Sequence, residues 1–111
     1  MAFKSKTSSS IGQSGGATTV SDTVSGSTTH VIIGLVVSNK TTSNITATVL
    51  VNKTGSGTDT YIVKDAPIAS GGSLIVIGGD QKLVLEATDV IKAYSSAATS
   101  ADVILSYLIG T

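Results

Sequence analysis

The apolar residues of this chain come in short β-branched runs, each closed within about ten residues by glycine, asparagine, aspartate or clustered serine and threonine. Side chains branched at Cβ lose rotamers against a helical turn but sit well on a pleated surface. Runs this short, bounded by turn formers, specify strands. No stretch sustains a 3.6-residue apolar period, and the nearest, residues 87–93, is too short and too β-branched to hold as a helix. The expected strands are 18–24, 29–38, 45–52, 61–65, 73–77, 82–86, 90–95 and 101–109. The turns between them are Ser25-Gly26, 39–44, Gly55-Ser-Gly57, 67–72, Gly78-Gly-Asp80, Thr88-Asp89 and 96–100. Eight short strands with frequent turns predict an all-β fold, a single antiparallel β-sandwich or jelly-roll-like domain over residues 17–111. Residues 1–16 are serine, glycine and lysine for the most part. Such a segment buries too little apolar area to offset its ordering entropy, and is expected to be a flexible N-terminal arm, loose or ordered on a neighbouring subunit.

The strands are of two kinds. Ile45, Ala47, Val49 and Val51 alternate with Thr46, Thr48 and Asn52, broken by Leu50, and Tyr61 and Val63 oppose Lys64, with Ile62 as the exception. That is the pattern of one buried and one polar face. Val31-Ile-Ile-Gly-Leu-Val-Val37 and Val103-Ile-Leu-Ser-Tyr-Leu-Ile109 are instead apolar on both faces. A two-layer sandwich covers only the inner face of each sheet, so the outer face of these two strands needs a cover. A second copy, another protein, or the chain's own loops and arm would each serve. Val31, Ile33, Leu35, Val37, Val103, Leu105, Tyr107 and Ile109 are the candidate interface residues, and the expected association is a homo-oligomer, trimer or higher.

Charged residues make up 13% of the chain, against the roughly 25–35% favoured for monomer surfaces, and the net charge is zero. About three residues in ten are serine or threonine. Such a surface gives weak colloidal protection and suits a protein packed against neighbours. All seven basic residues are lysine. A neutral chain without the bidentate guanidinium is a poor nucleic-acid binder, so no direct nucleic-acid partner is expected. The longest apolar runs fall far short of the roughly 20 residues that span a bilayer, and no membrane partner is expected. Lys4 and Lys6 are followed by no apolar stretch of the kind an export signal carries, so synthesis in the cytoplasm is expected.

Groups that carry chemistry are few. There is no cysteine and one histidine, His30, at the start of an apolar strand, where packing explains it better than ligation or base catalysis. No Gly-x-Ser-x-Gly elbow occurs, and Gly55-Ser-Gly57 has the wrong spacing. Glu86 and Asp89 form the closest acid pair. Without tryptophan and with only Phe3, Tyr61, Tyr94 and Tyr107 as aromatics, they read as turn acids and not as a glycosidase pair. Gly78-Gly-Asp80 lacks the alternating acids of a calcium loop, and Gly12-Gln-Ser-Gly-Gly16 lacks the spacing of a phosphate cradle. Asn39, Asn44 and Asn52 each begin an Asn-x-Thr triplet and read as turn residues. No catalytic residue, metal site or cofactor is expected.

The second half contains Ala66-Pro-Ile-Ala-Ser-Gly-Gly-Ser73, then Gly78-Gly-Asp-Gln-Lys-Leu-Val-Leu85, then Thr88-Asp-Val-Ile-Lys92. This pattern resembles the small β-sandwich virion proteins of tailed bacteriophages, among head decoration, cement and tail-associated components. The likeness covers about residues 28–108, and the opening Lys4-Ser-Lys-Thr-Ser-Ser-Ser is similar to the start of such proteins. Thr88 stands where the pattern leads one to expect glycine. The resemblance implies a virion component present in many symmetric copies, with the major capsid protein as a partner and no catalytic residues. The expected role is a capsid decoration or cement protein. A tail, neck or spike-base subunit is the alternative, followed by a carbohydrate-binding module for host attachment.

Overall fold

The computed structural model describes residues 2–53 and 57–110. Most of the expected turn at Gly55 and Ser56 therefore lies outside the described residues. Among those described there are nine strands: β1 (Ala2–Ser8), β2 (Thr18–Thr19), β3 (Thr29–Asn39), β4 (Ile45–Asn52), β5 (Asp59–Ile68), β6 (Ser73–Ile77), β7 (Leu83–Leu85), β8 (Val90–Ser95) and β9 (Ala101–Gly110). A single 3-10 turn, Ser14–Gly16, precedes β2.

The strands make two antiparallel sheets. One has the order β1-β9-β3-β6, with β7 also pairing with β3, and the other the order β2-β8-β4-β5. The pairings nest. β4 pairs with β5, β3 with β6 and β7, β2 with β8, and β1 with β9, as in one long hairpin. Two further pairings, β3 with β9 and β4 with β8, roll that hairpin into a sandwich. This is the jelly roll, with the strand opposite β3 broken into β6 and β7.

The inner faces supply the core. Ile32, Leu35 and Val37 of β3 and Val103, Leu105 and Tyr107 of β9 pack with Val49 of β4, Ile91 and Ala93 of β8, Ile77 and Leu85. Ile11, Val20 and Val24, from the segments flanking β2, join the same cluster. The expected strand 18–24 is a ladder only at its first two residues. Beyond them Val20 N–H still donates to the Ile91 carbonyl at 2.9 Å, but the next bond is taken by a side chain, Ser21 Oγ accepting from Ile91 N–H at 2.9 Å. β5 runs longer than expected on both sides. It passes through Asp65, at φ 52°, and Pro67, which an outermost strand tolerates because its far side donates to no ladder.

Two expectations need correction. Residues 2–8 are not a loose arm: they form β1, paired in register with β9 from Ala2↔Ile109 to Ser8↔Val103. Ile11, in the same segment, is fully buried. The edge of β9 supplies the ladder that the polar segment could not have formed alone. The second correction concerns which face each apolar residue takes. β3 carries a bulge between Ile32 and Gly34, so its buried set changes parity: His30 and Ile32 before it, Leu35, Val37 and Asn39 after it.

Candidate assembly face

Of the eight candidate interface residues, Leu35, Val37, Val103, Leu105 and Tyr107 lie in the core, at most 2% exposed. Ile109 is partly buried against the same core. Only Val31 and the bulge residue Ile33 remain half-buried outside the core cluster. In β9, and in β3 beyond the bulge, the candidate set faces the core and the other parity faces outward, whereas Val31 lies on the outside. In β9 the outer residues are Ile104, Ser106 and Leu108.

The register rebuilds the outer face of the larger sheet. Phe3, Leu108, Val31 and Val84 lie side by side across β1, β9, β3 and β7. Thr7, Ile104, Val36 and Ile75 form a second row across β1, β9, β3 and β6. Along β9 the rows are four residues apart, about 13 Å. Between them run Ser5, Ser106 and Gly34, which leave a shallow trough. Phe3 is 76% exposed, Ile75 69%, Val84 53% and Ile104 52%. These are four of the five large apolar side chains exposed among the described residues, gathered on one face. Among the described residues neither loops nor the N-terminal segment cover it, since β1 extends the sheet sideways.

The other sheet presents the opposite character. Its outer row of Thr19, Lys92, Leu50 and Tyr61 follows from the registers of β2, β8, β4 and β5. Leu50 is only 2% exposed between Lys92 and Tyr61, and the Lys64 ammonium lies 4.6 Å from the Tyr61 ring centroid. Amphipathic side chains thus shield the one large aliphatic residue of this row, on a face that also carries Thr46, Thr48, Asn52, Val90 and Tyr94.

The groups singled out for chemistry have structural work. Asp89, buried at the base of a turn, accepts from the Glu86 N–H at 3.0 Å and from Lys53 Nζ at 2.6 Å. Glu86 is paired with the same lysine at 3.2 Å. Hydrogen bonds from Lys53 to Asp89 and then to Glu86 hold the ammonium pKa above its usual value. The acids therefore act as turn residues. A cavity of about 510 Å³ opens beside them, lined by Gly26, Ser27, Thr28, Thr29, Lys53, Glu86, Ala87 and Asp89, with no aromatic platform. Asn39, 2% exposed, donates from Nδ2 to the carbonyls of Ser43, Ile68 and Ala69, while its Oδ1 accepts from Thr41 N–H and Oγ1. It ties the β3–β4 turn to the β5–β6 turn. Asn44 accepts from Ser70 N–H, and Asn52 donates to Gly57 O and Asp59 Oδ1. All three asparagines sit at strand ends or in turns.

One cluster had no signal in the sequence. His30 is buried and stacked on Tyr107, with ring centroids 4.7 Å apart. The Tyr107 hydroxyl donates to Asp22, and Asp22 pairs with Lys6 of β1 at 3.3 Å. Burial lowers the His30 pKa, opposed by the Asp22 charge. Burial, with the bond to Asp22, pushes Tyr107 up to about 12. The Tyr107 bond and Lys6 hold Asp22 below the usual carboxylate range against the effect of desolvation. No group of three or more histidine, aspartate and glutamate side chains able to hold a metal ion occurs among the described residues. No described helix is long and apolar enough to cross a membrane. No family model matches the chain, and neither a curated protein nor a solved structure matches it.

Proposed function

We propose that this chain is a non-enzymatic structural subunit that docks into a repeating assembly through the outer face of its larger sheet. The observation that carries the reading is the asymmetry between the outer faces: among the described residues, four large apolar side chains more than half exposed lie on one sheet, and only Tyr61, 43% exposed, on the other. An exposed apolar sheet face of that extent marks an interaction surface. Burial of Phe3, Ile75, Val84 and Ile104 at each symmetry copy, repeated around a closed assembly, gives adhesion without a specific charged contact. The jelly roll is a fold used by viral coat domains, which supports the reading by analogy alone. Together with the resemblance of residues 63–95 to tailed-phage virion proteins, it makes a capsid decoration or cement protein, bound at or between capsomers, the assembly to test first.

The test is the mass of the purified protein by light scattering, alone and with empty phage capsids. A trimer or larger ring that co-sediments with the shells is the expected result. A stable monomer that ignores capsids overturns the decoration role and directs the search to tail, neck or spike-base partners. Retention on a glycan array would replace both with host attachment.

A further inference from the structure

β1 has the features of a strand built to change partners. Among the described residues it pairs with β9 alone, at the end of its sheet. Of its seven residues five are exposed and none is fully buried, so it adds a ladder but no core side chain. Lys4 and Lys6, opposite Tyr107 and Leu105, point toward the core side of the sheet, and inward charges of this kind keep an edge from pairing with arbitrary strands. Its anchors to the body are polar and few. Lys6 pairs with Asp22, Ser10 N–H donates to Asp102 Oδ1 at 2.8 Å, and Lys40 holds both Ser10 Oγ at 2.6 Å and Asp102 at 2.8 Å.

The hinge is short and strained. Ile11 is fixed in the core, donating to Ala101 O and accepting from Thr99 N–H, so only Ser9 and Ser10 separate it from the strand. Ser10 holds φ 55°, a left-handed conformation that a residue with Cβ adopts at a cost. Extending Ser9 and Ser10 releases that strain and carries β1 away from its own β9.

We infer that β1 exchanges between copies, each chain laying Ala2–Ser8 on the β9 edge of another. The partner is a second copy because it alone presents the same edge, the same register and the same Asp22 for the returning strand. The ladder of Ala2–Ser8 and the Lys6–Asp22 pair are remade between copies, at the cost of the two bonds of Ser10, and a reciprocal exchange closes with two-fold symmetry. Short strained hinges favour such swapping. This linkage is independent of docking through the apolar face.

The chain has no cysteine, which makes a direct test available. Thr7 and Ile104 are cross-strand neighbours on the outer face, and both are exposed. One full-length chain carries Thr7→Cys and another Ile104→Cys. The two are mixed, co-refolded and treated with a short bis-maleimide, with the double-cysteine chain as the control for reach. A mixed cross-linked dimer is expected. Its yield at fixed concentration should fall with Ser10→Gly, which removes the strain, and rise with Ser10→Val, which increases it. A change of one to two kcal/mol at the hinge corresponds to roughly five- to thirtyfold in the ratio of exchanged to closed chains. Should Ser10→Val fail to fold, Ser10→Ala replaces it against Ser10→Gly. Cross-linking that is absent between chains, or that is the same for every hinge residue, overturns the exchange. The second outcome assigns the contact to face-to-face docking instead.

Discussion

Thr88 shows what a single residue contributes here. The turn from Glu86 to Asp89 closes with Asp89 N–H on the Glu86 carbonyl at 3.1 Å, and its third residue, Thr88, holds φ 68°. A β-branched side chain is among the least suited to that conformation, and glycine carries no such penalty. Thr88→Gly should therefore stabilise the fold by about 1 kcal/mol, after allowing for the extra freedom of glycine in the unfolded chain. A urea titration reads this as a shift of midpoint at unchanged slope. The buried aromatic pair sets the pH response. The folded His30 binds a proton less readily than the unfolded one, so its contribution is complete above pH 6.5 and is lost as pH falls through its lowered folded value. Asp22 adds a second loss, as pH falls from 3.8 through its own depressed value. Tyr107 acts at the other end, where stability present below pH 10 is lost as pH rises toward about 12. Melting curves of His30→Phe, which keeps a ring against Tyr107, should lose the first slope and retain the other two.

At the scale of elements, β9 separates what holds the fold from what faces outward. Leu105 is fully buried and its neighbour Ile104 is 52% exposed. Leu105→Lys places an unpaired charge in the core and should cost about 4 kcal/mol or more, abolishing the far-UV melt of a folded sheet. Ile104→Lys should leave that melt within about 0.5 kcal/mol of the parent and, in light scattering, remove every species larger than the strand-exchanged dimer. Ile104→Lys chains that form the same larger species as the parent would overturn the proposed docking through this face. Much of this architecture was legible in the sequence. Strands 45–52, 73–77 and 90–95 appear with the expected limits, because each is a branched run bounded by strong turn formers. What failed to show did so for physical reasons. Periodicity reveals two faces without saying which is covered, and the bulge at Ile33 exchanges them within one strand. Ala2–Ser8 has no intrinsic call to be a strand and becomes one through the open edge of β9. Lys6, Asp22, His30 and Tyr107 meet only because the roll brings Tyr107 onto Asp22, 85 positions away in the chain.

For the whole molecule, the nested pairing decides how the chain must fold. Only β4 with β5 forms a pair of successive strands, and each further pairing closes a longer loop, ending with β1 on β9. Loop-closure entropy must be met before such contacts stabilise, so stopped-flow refolding should fall in the millisecond-to-second range of non-local β folds. A microsecond phase carrying the full amplitude would contradict that topology. The position of β9, between β1 and β3 in the larger sheet, bears on synthesis as well. A nascent chain halted before residue 101 has no centre to that sheet. Both flanking strands then keep open edges, and the apolar rows lack Ile104 and Leu108. Only a chain translated through β9 carries both apolar rows complete, so a truncated copy lacks the face through which docking is proposed.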